Sequence, residues 1–324
     1  MSCSELRKDE DKNSCTLQSV KDSDIEKASS IGFWYFCVSY GKNRVINILT
    51  GGISKMPELP EMENYRRILN QKLAGQRITA IEINREKSIN VVPSLFIQTV
   101  KMQKIVTISR RGKHLLFHLQ NGHVLLLHLM LGGWMYYGTA DDKPNRTIQV
   151  RLSFGQNHLY FIGLRLGYLH LFSEADVLQQ LSHLGPEPLD DEFSLQQFLN
   201  LLGEKRGGIK AKLIDQEFIA GIGNCYSDEI CYHAKLLPKK KIEDMQNEER
   251  VQLFHSMKQV LINALNHGGY MENPLFQGDS LTGQYNNLCL VYDREGEICG
   301  RCGSQIIKEM ISSRKSFYCP NCQK

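Results

Sequence analysis

Two cysteine pairs near the end of the chain constrain its fold more than any other sequence feature. The pairs are Cys299-Gly-Arg-Cys302 and Cys319-Pro-Asn-Cys322, and sixteen residues separate them. Four thiolates at this spacing are typical of a tetrahedral zinc site, which is structural because its ligands leave no open position for water. Two disulfides or four unrelated thiols are the alternatives, but the chain has no pattern typical of an export signal. The sequence therefore predicts one structural Zn²⁺ in a C-terminal module.

The composition describes a globular chain with enough apolar residues for two modest cores. Of its 324 residues, 42% are hydrophobic and 23% are charged, which excludes collagen, a fully disordered chain and a disulfide-rich miniprotein. No apolar run approaches the roughly 20 residues that a membrane-spanning helix needs. The net charge of +4 permits a nucleic-acid partner without requiring one. We expect the other cysteines to be free thiols in a reducing cytoplasm, and nothing in the sequence predicts an oligomer.

Apolar spacing predicts one helix followed by a β-rich domain. Apolar residues between Met62 and Leu73 recur at helical intervals, and Gly75 is a stop signal. From residue 78 to residue 172, short apolar runs are separated by turn residues, among them Asn121-Gly122. That dipeptide between two apolar runs is typical of a β-hairpin. The region is therefore expected to form an antiparallel sandwich or barrel.

The apolar period becomes helical after the β-rich region. Ser173 and Ser194 each stand three residues before an acidic or amide residue, as in a capping box, and Gly185-Pro186-Glu187-Pro188 lies between them as a hinge. A second, helical domain is expected to follow that hinge. The predicted segments are a β-rich domain at 56–188, a helical domain at 189–290 and the zinc module at 291–324.

The segment from Met56 to Glu61 is the first candidate for chemistry. Inside a chain, such a Pro-Glu segment is most often a solvated linker or a helix start. If translation begins at Met56 and this methionine is removed, Pro57 becomes a free secondary amine beside two carboxylates. Such an amine attacks carbon and forms an iminium, while Glu58 and Glu61 donate or accept protons around it.

Three further segments are candidates for binding phosphate, although each also has an ordinary structural explanation. The basic turn that contains Lys113 is typical of a solvated hairpin end. The break Gly221-Ile222-Gly223-Asn224, in which Asn224 is expected to cap the next helix, offers backbone N–H groups to an anion, but a plain helical hairpin uses the same residues. Arg314 places a guanidinium in the zinc module, where it either binds a phosphate or lies at a solvated edge.

In combination, these segments resemble the bacterial formamidopyrimidine-DNA glycosylase and endonuclease VIII family. The resemblance covers residues 56–324. It rests on four motifs in order, namely Pro57–Glu61, Arg111-Gly112-Lys113, the segment from Asp215-Gln216 to Glu229, and the four-cysteine finger with Arg314. It implies an α+β fold with an N-terminal β-sandwich domain, a helical helix-two-turn-helix domain and a C-terminal zinc finger with four cysteine ligands. It also implies a cytoplasmic bacterial enzyme that acts as a monomer on damaged double-stranded DNA.

By this resemblance the chain is a bifunctional DNA glycosylase and abasic-site lyase of base-excision repair. Pro57 is implied to attack C1′ of an extruded nucleotide, to release its oxidised base and to cut the strand by β- and then δ-elimination through a Schiff base. Glu58 is implied to be the acid/base at the sugar, and Glu61 to support the site. The residues implied to hold the flanking phosphates are Lys113, which also belongs to the catalytic group, Asn224 and Arg314.

Two segments depart from the family's pattern. Leu131 stands at the first of the positions that fill the vacated base stack, where relatives that prefer formamidopyrimidines have methionine. The segment from Phe161 to Gly167 keeps one arginine, Arg165, and lacks the family's aspartate and phenylalanine. The choice between oxidised purines and pyrimidines, the opposite-base preference and the balance of β- and δ-elimination therefore stay open. The expected DNA contacts are Lys113, Leu131, Arg165, Lys210, Asn224 and Arg314.

The segment 1–55 precedes this resemblance and has no helical or strand period. We expect it to be either an over-long reading of the gene or a disordered segment, because codons for Gly51-Gly52 can form a ribosome-binding sequence before Met56. If Pro57 stays acylated, the alternative function is non-catalytic binding of damaged or unusual DNA structures. A zinc-ribbon transcription accessory is a third alternative, but it leaves Pro57-Glu58 and the glycine turn without a role.

Overall fold

The computed structural model describes residues 55–203 and 205–324. The expectation for the segment 1–55 therefore falls outside the described residues, apart from Lys55. The helices are α1 (Leu59–Leu73), α2 (Pro93–Val100), α3 (Glu174–Leu181), α4 (Leu195–Gly203), α5 (Ile209–Leu213), α6 (Asn224–His233) and α7 (Asn247–Asn266). The strands are β1 (Ala80–Ile83), β2 (Ile105–Arg111), β3 (His114–Leu119), β4 (His123–His128), β5 (Trp134–Gly138), β6 (Ile148–Phe154), β7 (Asn157–Ile162), β8 (Tyr168–Ser173), β9 (Ile307–Ile311) and β10 (Arg314–Tyr318). Within this part of the chain, none of the helices combines the length and the apolarity needed to span a membrane.

The first half of the described chain folds into a sandwich of two four-stranded antiparallel sheets. Their strand orders are β1-β6-β7-β5 and β2-β3-β4-β8. Apolar side chains of both sheets form one core, in which the rings of Phe117 and Phe161 lie 6.4 Å apart. β3 and β4 are joined at Asn121-Gly122, where Gly122 has a φ of +77° that favours glycine. The predicted hairpin is confirmed, and the sandwich is the correct alternative.

The helix α1 covers the edge of this sandwich and begins at the candidate catalytic segment. Met62, Leu69 and Leu73 are fully buried on one face of α1, as the apolar spacing predicts. At its start, Glu58 and Glu61 form a capping box in which each side chain accepts from the other residue's backbone N–H. The start of the helix therefore holds both carboxylates close to Pro57.

A second apolar core lies among the helices α4 to α7. Phe198, Leu213, Ile230 and Leu261 contribute one buried side chain from each of these helices. The loop after α7 then returns to the sandwich, where Leu275 is buried in the first core. We propose that the domains divide as the sequence predicts, at 188/189 and 290/291, with this loop as a bridge between them.

The chain ends in a two-stranded antiparallel hairpin. β9 and β10 pair in register from Ile307 with Tyr318 to Ile311 with Arg314. Ser312 and Ser313 form the turn, and both have positive φ values. The hairpin thus presents Arg314 directly after its turn and brings Cys319 back toward the first cysteine pair.

Candidate active site

Pro57 is buried immediately before α1, between the loop that precedes α6 and the loop that follows α7. The N–H of Leu59 donates to the Gly221 carbonyl at 3.0 Å, and the Tyr270 hydroxyl donates to the Met56 carbonyl at 2.9 Å. Gly221 has a φ of +95°, and a Cβ atom there would lie 2.7 Å from the Leu59 side chain. A glycine is therefore needed at position 221, because only a residue without a side chain lets this loop approach Leu59 so closely.

The Glu58 carboxylate closes the N-terminus of α6. It accepts hydrogen bonds from the backbone N–H groups of Gly223 at 2.6 Å, Cys225 at 2.9 Å and Tyr226 at 3.5 Å. A side chain at position 223 is excluded, because a Cβ atom would lie 2.5 Å from Glu58 Cδ. Burial raises the pKa of Glu58, and the Lys113 charge and the three N–H groups oppose that rise. The positive end of a helix thus holds this carboxyl in one orientation.

The Glu61 carboxylate is also fully buried and accepts three hydrogen bonds. Its donors are the Glu58 N–H at 2.8 Å, the Tyr226 hydroxyl at 2.5 Å and the Tyr270 N–H at 2.7 Å. Burial raises the pKa of Glu61 to about 7, against the hydrogen bond from Tyr226. The two neighbouring carboxyls therefore have different partners, which is the arrangement that separates acid and base roles.

Lys113 brings a cation to these carboxyls from the turn between β2 and β3. It is only 6% exposed, and its ammonium lies close enough to Gly223 that a Cβ atom there would be 2.7 Å from it. Burial lowers the pKa of Lys113, the charges of Glu58 and Glu61 raise it, and the charge of Arg314 lowers it. Arg314 and Lys113 therefore act on the same region of the site.

The two arginines before Lys113 anchor the turn instead of facing the site. The Arg110 guanidinium pairs with Glu187 at 2.7 Å and with Glu63 at 3.2 Å, and Arg111 pairs with Glu187 at 3.1 Å. Both arginines are at most 30% exposed, so these pairs are partly shielded from water. The turn is thus a fixed support for Lys113 and not a solvated hairpin end.

The glycine turn before α6 differs from its sequence prediction. Asn224 does not cap the helix: α6 begins at Asn224, and Gly223 occupies the capping position. The reason is that Glu58, which is distant in the chain, accepts from the first N–H groups. The Asn224 Oδ1 atom is buried and finds no hydrogen-bond partner among residues 55–203 and 205–324. This oxygen is an acceptor, so it is open to an N–H or O–H group of a bound molecule.

Three of the residues predicted to contact DNA are exposed on the protein surface. Leu131 is 48% exposed on the loop between β4 and β5, Arg165 is exposed on the loop between β7 and β8, and Arg314 is exposed at the start of β10. The first two loops touch through their backbones, because a Cβ atom at Gly163 would lie 2.1 Å from the Gly132 carbonyl oxygen. This close contact places Leu131 and Arg165 on neighbouring loops.

Lys210 is buried in the protein, whereas a residue that contacts DNA is expected to be exposed. It is 1% exposed, and its ammonium bonds to Asp228 Oδ1 at 2.7 Å and to the Lys315 carbonyl at 2.8 Å. Asp228 in turn accepts from the Ser316 hydroxyl at 2.7 Å and the Phe317 N–H at 3.0 Å. The predicted DNA contact is thus replaced by a buried ion pair that ties α5 and α6 to the hairpin strand carrying Arg314.

This ion pair leads to a prediction about stability. Lys210→Met leaves Asp228 without its cation, and breaking such a buried pair costs about 3–5 kcal/mol. We expect a large drop in the thermal unfolding midpoint, and partial recovery in the double variant Lys210→Met with Asp228→Leu. Calorimetry and the salt dependence of DNA binding check this. A variant with parental stability and a shallower salt slope would instead identify Lys210 as a phosphate contact.

Several residues of the site were not singled out from the sequence. Tyr226 in the first turn of α6 and Tyr270 in the loop after α7 bond to Glu61, which is distant from both in the chain. Gln216 closes the glycine turn by accepting from the Gly221 N–H at 2.9 Å and donating to the Ile222 carbonyl at 2.7 Å. No local pattern distinguishes these tyrosines from core residues, although Gln216 and Tyr226 both belong to a segment that carries the family resemblance.

The four terminal cysteines fit one zinc ion. Their sulfur atoms all lie within 4.8 Å of one another, with Cys299 and Cys322 3.8 Å apart and Cys302 and Cys319 3.5 Å apart. A tetrahedron with Zn–S bonds of about 2.3 Å has sulfur–sulfur edges of about 3.8 Å. This all-thiolate donor set is structural, because it has no place for a reacting water.

Comparison with known proteins covers most of the chain. Residues 56–168 match the formamidopyrimidine-DNA glycosylase N-terminal domain, residues 184–273 match the H2TH domain of the same family, and residues 296–324 match a zinc finger found in FPG and IleRS. The zinc prediction is thereby confirmed in its type and place. The three matches stand in the order that the sequence predicts.

Similar proteins and structures agree with these matches. The formamidopyrimidine-DNA glycosylase of Pelotomaculum thermopropionicum is 35% identical over 275 residues, which are 83% of this chain and 99% of that protein. That of Heliobacterium modesticaldum is 32% identical over 277 residues, 83% of this chain and 100% of that protein. A complex of Lactococcus lactis Fpg with DNA containing an abasic site superimposes with a TM-score of 0.77 at 30% identity, covering 82% of this chain and 99% of that one. The chain therefore belongs to the formamidopyrimidine-DNA glycosylase family.

Proposed function

We propose that the chain is a base-excision repair enzyme that removes oxidised bases from duplex DNA and then cuts the strand at the resulting abasic site. The observation that carries this proposal is the burial of Pro57 beside two carboxyls in different environments and one buried ammonium. The structural relatives bound to DNA support the same substrate class, since the Lactococcus lactis complexes contain an abasic site or an N7-benzyl-Fapy-dG.

The chemistry requires a free amine on Pro57. As a secondary amine, its nitrogen lone pair attacks C1′ of the extruded nucleotide, and the base leaves. The resulting iminium makes the neighbouring C2′ protons acidic, so that first the 3′ and then the 5′ phosphate is eliminated. Glu58 exchanges protons at the sugar. Glu61 supports Glu58 by accepting a hydrogen bond from the Glu58 backbone N–H. One nitrogen thus supplies both glycosylase and lyase activity.

The DNA grip follows from the side chains left free around this nitrogen. Lys113 and Arg314 bind the phosphates beside the flipped nucleotide, because each carries a cation and the backbone donors of α6 are occupied by Glu58. Asn224 takes part through its side-chain NH2 group, which is the donor of its amide. Leu131 wedges into the vacated base stack, and Arg165 lies beside it. The zinc ion holds the hairpin that presents Arg314 and takes no part in the chemistry.

The second candidate function is non-catalytic binding of damaged DNA. It is favoured by one contact, the hydrogen bond from Tyr270 to the Met56 carbonyl, because in that state the nitrogen of Pro57 is an amide. An amide nitrogen shares its lone pair with the carbonyl and is not a nucleophile. Such a chain keeps its phosphate grip and loses its chemistry.

Borohydride reduction separates these two functions. A chain begun at Met56, with removal of that methionine checked by intact mass, is incubated with duplexes carrying an abasic site, Fapy-dG or an oxidised pyrimidine. We expect strand nicking and a covalent protein–DNA adduct when borohydride is present. Binding without nicking or adduct on every duplex would contradict the enzymatic proposal. The relative nicking rates identify the preferred lesion.

Lys113→Ala tests the phosphate grip. We expect weaker DNA binding and a salt slope reduced by about 1, since one phosphate contact is lost. The matched control is Lys101→Ala, which removes an exposed lysine at the end of α2 and should bind like the parent. Salt titration of binding by fluorescence anisotropy checks both variants. If Lys113→Ala has the parental slope and cuts at the parental rate, the role assigned to Lys113 is wrong.

A further inference from the structure

Tyr270 is held rigidly beside the proposed nucleophile. Its side chain is 2% exposed, and its ring packs edge-on against Tyr226 and Tyr292, with centroids 5.7 and 5.6 Å away. Its backbone N–H bonds to Glu61, while its hydroxyl bonds to the Met56 carbonyl oxygen at 2.9 Å. The residue therefore connects a buried carboxylate to the group attached to the Pro57 nitrogen.

The position of the Met56 carbonyl indicates which substrate atom the Tyr270 hydroxyl contacts during the reaction. The Met56 carbonyl carbon is bonded both to the oxygen that Tyr270 contacts and to the nitrogen of Pro57. When the amine is free and has attacked, C1′ of the sugar takes the place of this carbon, because both are the carbon bonded to that nitrogen. An oxygen on C1′ then stands one bond away from the carbon, at about 1.2–1.5 Å, as the carbonyl oxygen does now. The sugar ring oxygen O4′ is such an atom.

We propose that Tyr270 is a further catalytic residue, which donates a hydrogen bond to O4′ of the target sugar while the C1′–O4′ bond opens. This inference rests on the proposed attack by Pro57. The nitrogen lone pair forms the N–C1′ bond, and the base leaves with the electron pair of its bond and takes the proton that the nitrogen releases. The C1′–O4′ electron pair then moves to O4′ as nitrogen and C1′ become an iminium. O4′ finally takes a proton from the Glu58 carboxyl.

The environment of Tyr270 suits a donor and not a base. Burial and the charges of Glu58 and Glu61 raise the pKa of Tyr270 well above its usual value, so the hydroxyl keeps its proton. The Glu61 carboxylate is already engaged, since it accepts three hydrogen bonds from protein groups, whereas Glu58 supplies the proton after the bond has opened. A fixed donor in a buried site stabilises developing charge without having to reorganise.

The test is Tyr270→Phe in the chain begun at Met56, with Tyr65→Phe as the matched control. Tyr65 is also a buried tyrosine, and its hydroxyl has no partner within the described residues. Borohydride trapping is measured in single turnovers on a duplex carrying Fapy-dG, whose sugar ring must open after the base has left. Borohydride trapping is measured on a duplex with a preformed abasic site, whose sugar already opens to an aldehyde without the enzyme.

We expect Tyr270→Phe to slow trapping on the Fapy-dG duplex by about 10²-fold, the effect of removing one donor to a developing oxyanion, and to leave the trapping of the abasic duplex close to parental. Tyr65→Phe should match the parent in both assays. Equal losses on the two duplexes, or no loss on either, overturn the role of Tyr270. Failure of the parent chain to be trapped at all would instead overturn the proposed function.

Discussion

A chain in which Pro57 is still joined to Met56 is expected to give no borohydride adduct with abasic DNA, whereas a chain that starts at Pro57 is trapped. The physical reason is the planar amide, in which the nitrogen lone pair is delocalised into the carbonyl. Losing the nucleophile of a covalent mechanism costs about 10³-fold or more in rate. Intact mass of each preparation, followed by single-turnover nicking, measures the difference.

DNA binding serves as the control for this experiment. The acylated chain keeps Lys113 and Arg314, so we expect it to bind an abasic duplex even though it does not cut. Pro57→Gly is the complementary variant, because it offers a free primary amine in place of the ring nitrogen and should retain part of the trapping. An acylated chain that nicks DNA at the full rate would refute the amine mechanism, whatever its affinity.

The parts of the fold that were predicted correctly depend on local patterns. The helical spacing from Met62 to Leu73 and the Asn121-Gly122 turn both specify structure within a few residues, and the structure confirms them. The cysteine pairs likewise specify a zinc module by spacing alone. The choice between sandwich and barrel lay beyond such patterns, because it depends on which strands pair at long range.

The predictions that needed correction concern residues whose partners are distant in sequence. Lys210 looks like any basic residue of a helix, and its burial follows only from the approach of Asp228 and the strand after Arg314. Asn224 has the residue type of a helix cap, but Glu58 takes the donors that it would have satisfied. The role proposed for Tyr270 is of the same kind, since its contact with Met56 spans 214 residues.

Cys319→Ser is expected to abolish zinc binding and to weaken DNA binding strongly, while the helical core stays folded. Structural zinc contributes about 10–16 kcal/mol of binding free energy in small zinc-finger peptides. Without the metal, the strand pairing beside Arg314 depends on the contacts of β10 with Lys210 and Asp228. Arg314 then no longer has a fixed position from which to hold a phosphate.

The control for this loss is Cys231→Ala, which removes a buried thiol of the helical core that is not one of the four clustered cysteines. It should lower stability modestly and keep one zinc per chain. Zinc content by metal analysis and DNA affinity at fixed salt are measured on both variants. Since Pro57, Glu58 and Lys113 are all outside the finger, Cys319→Ser should still cut when DNA is saturating. A variant that retains one zinc and parental affinity would show that these four thiols do not form the structural site.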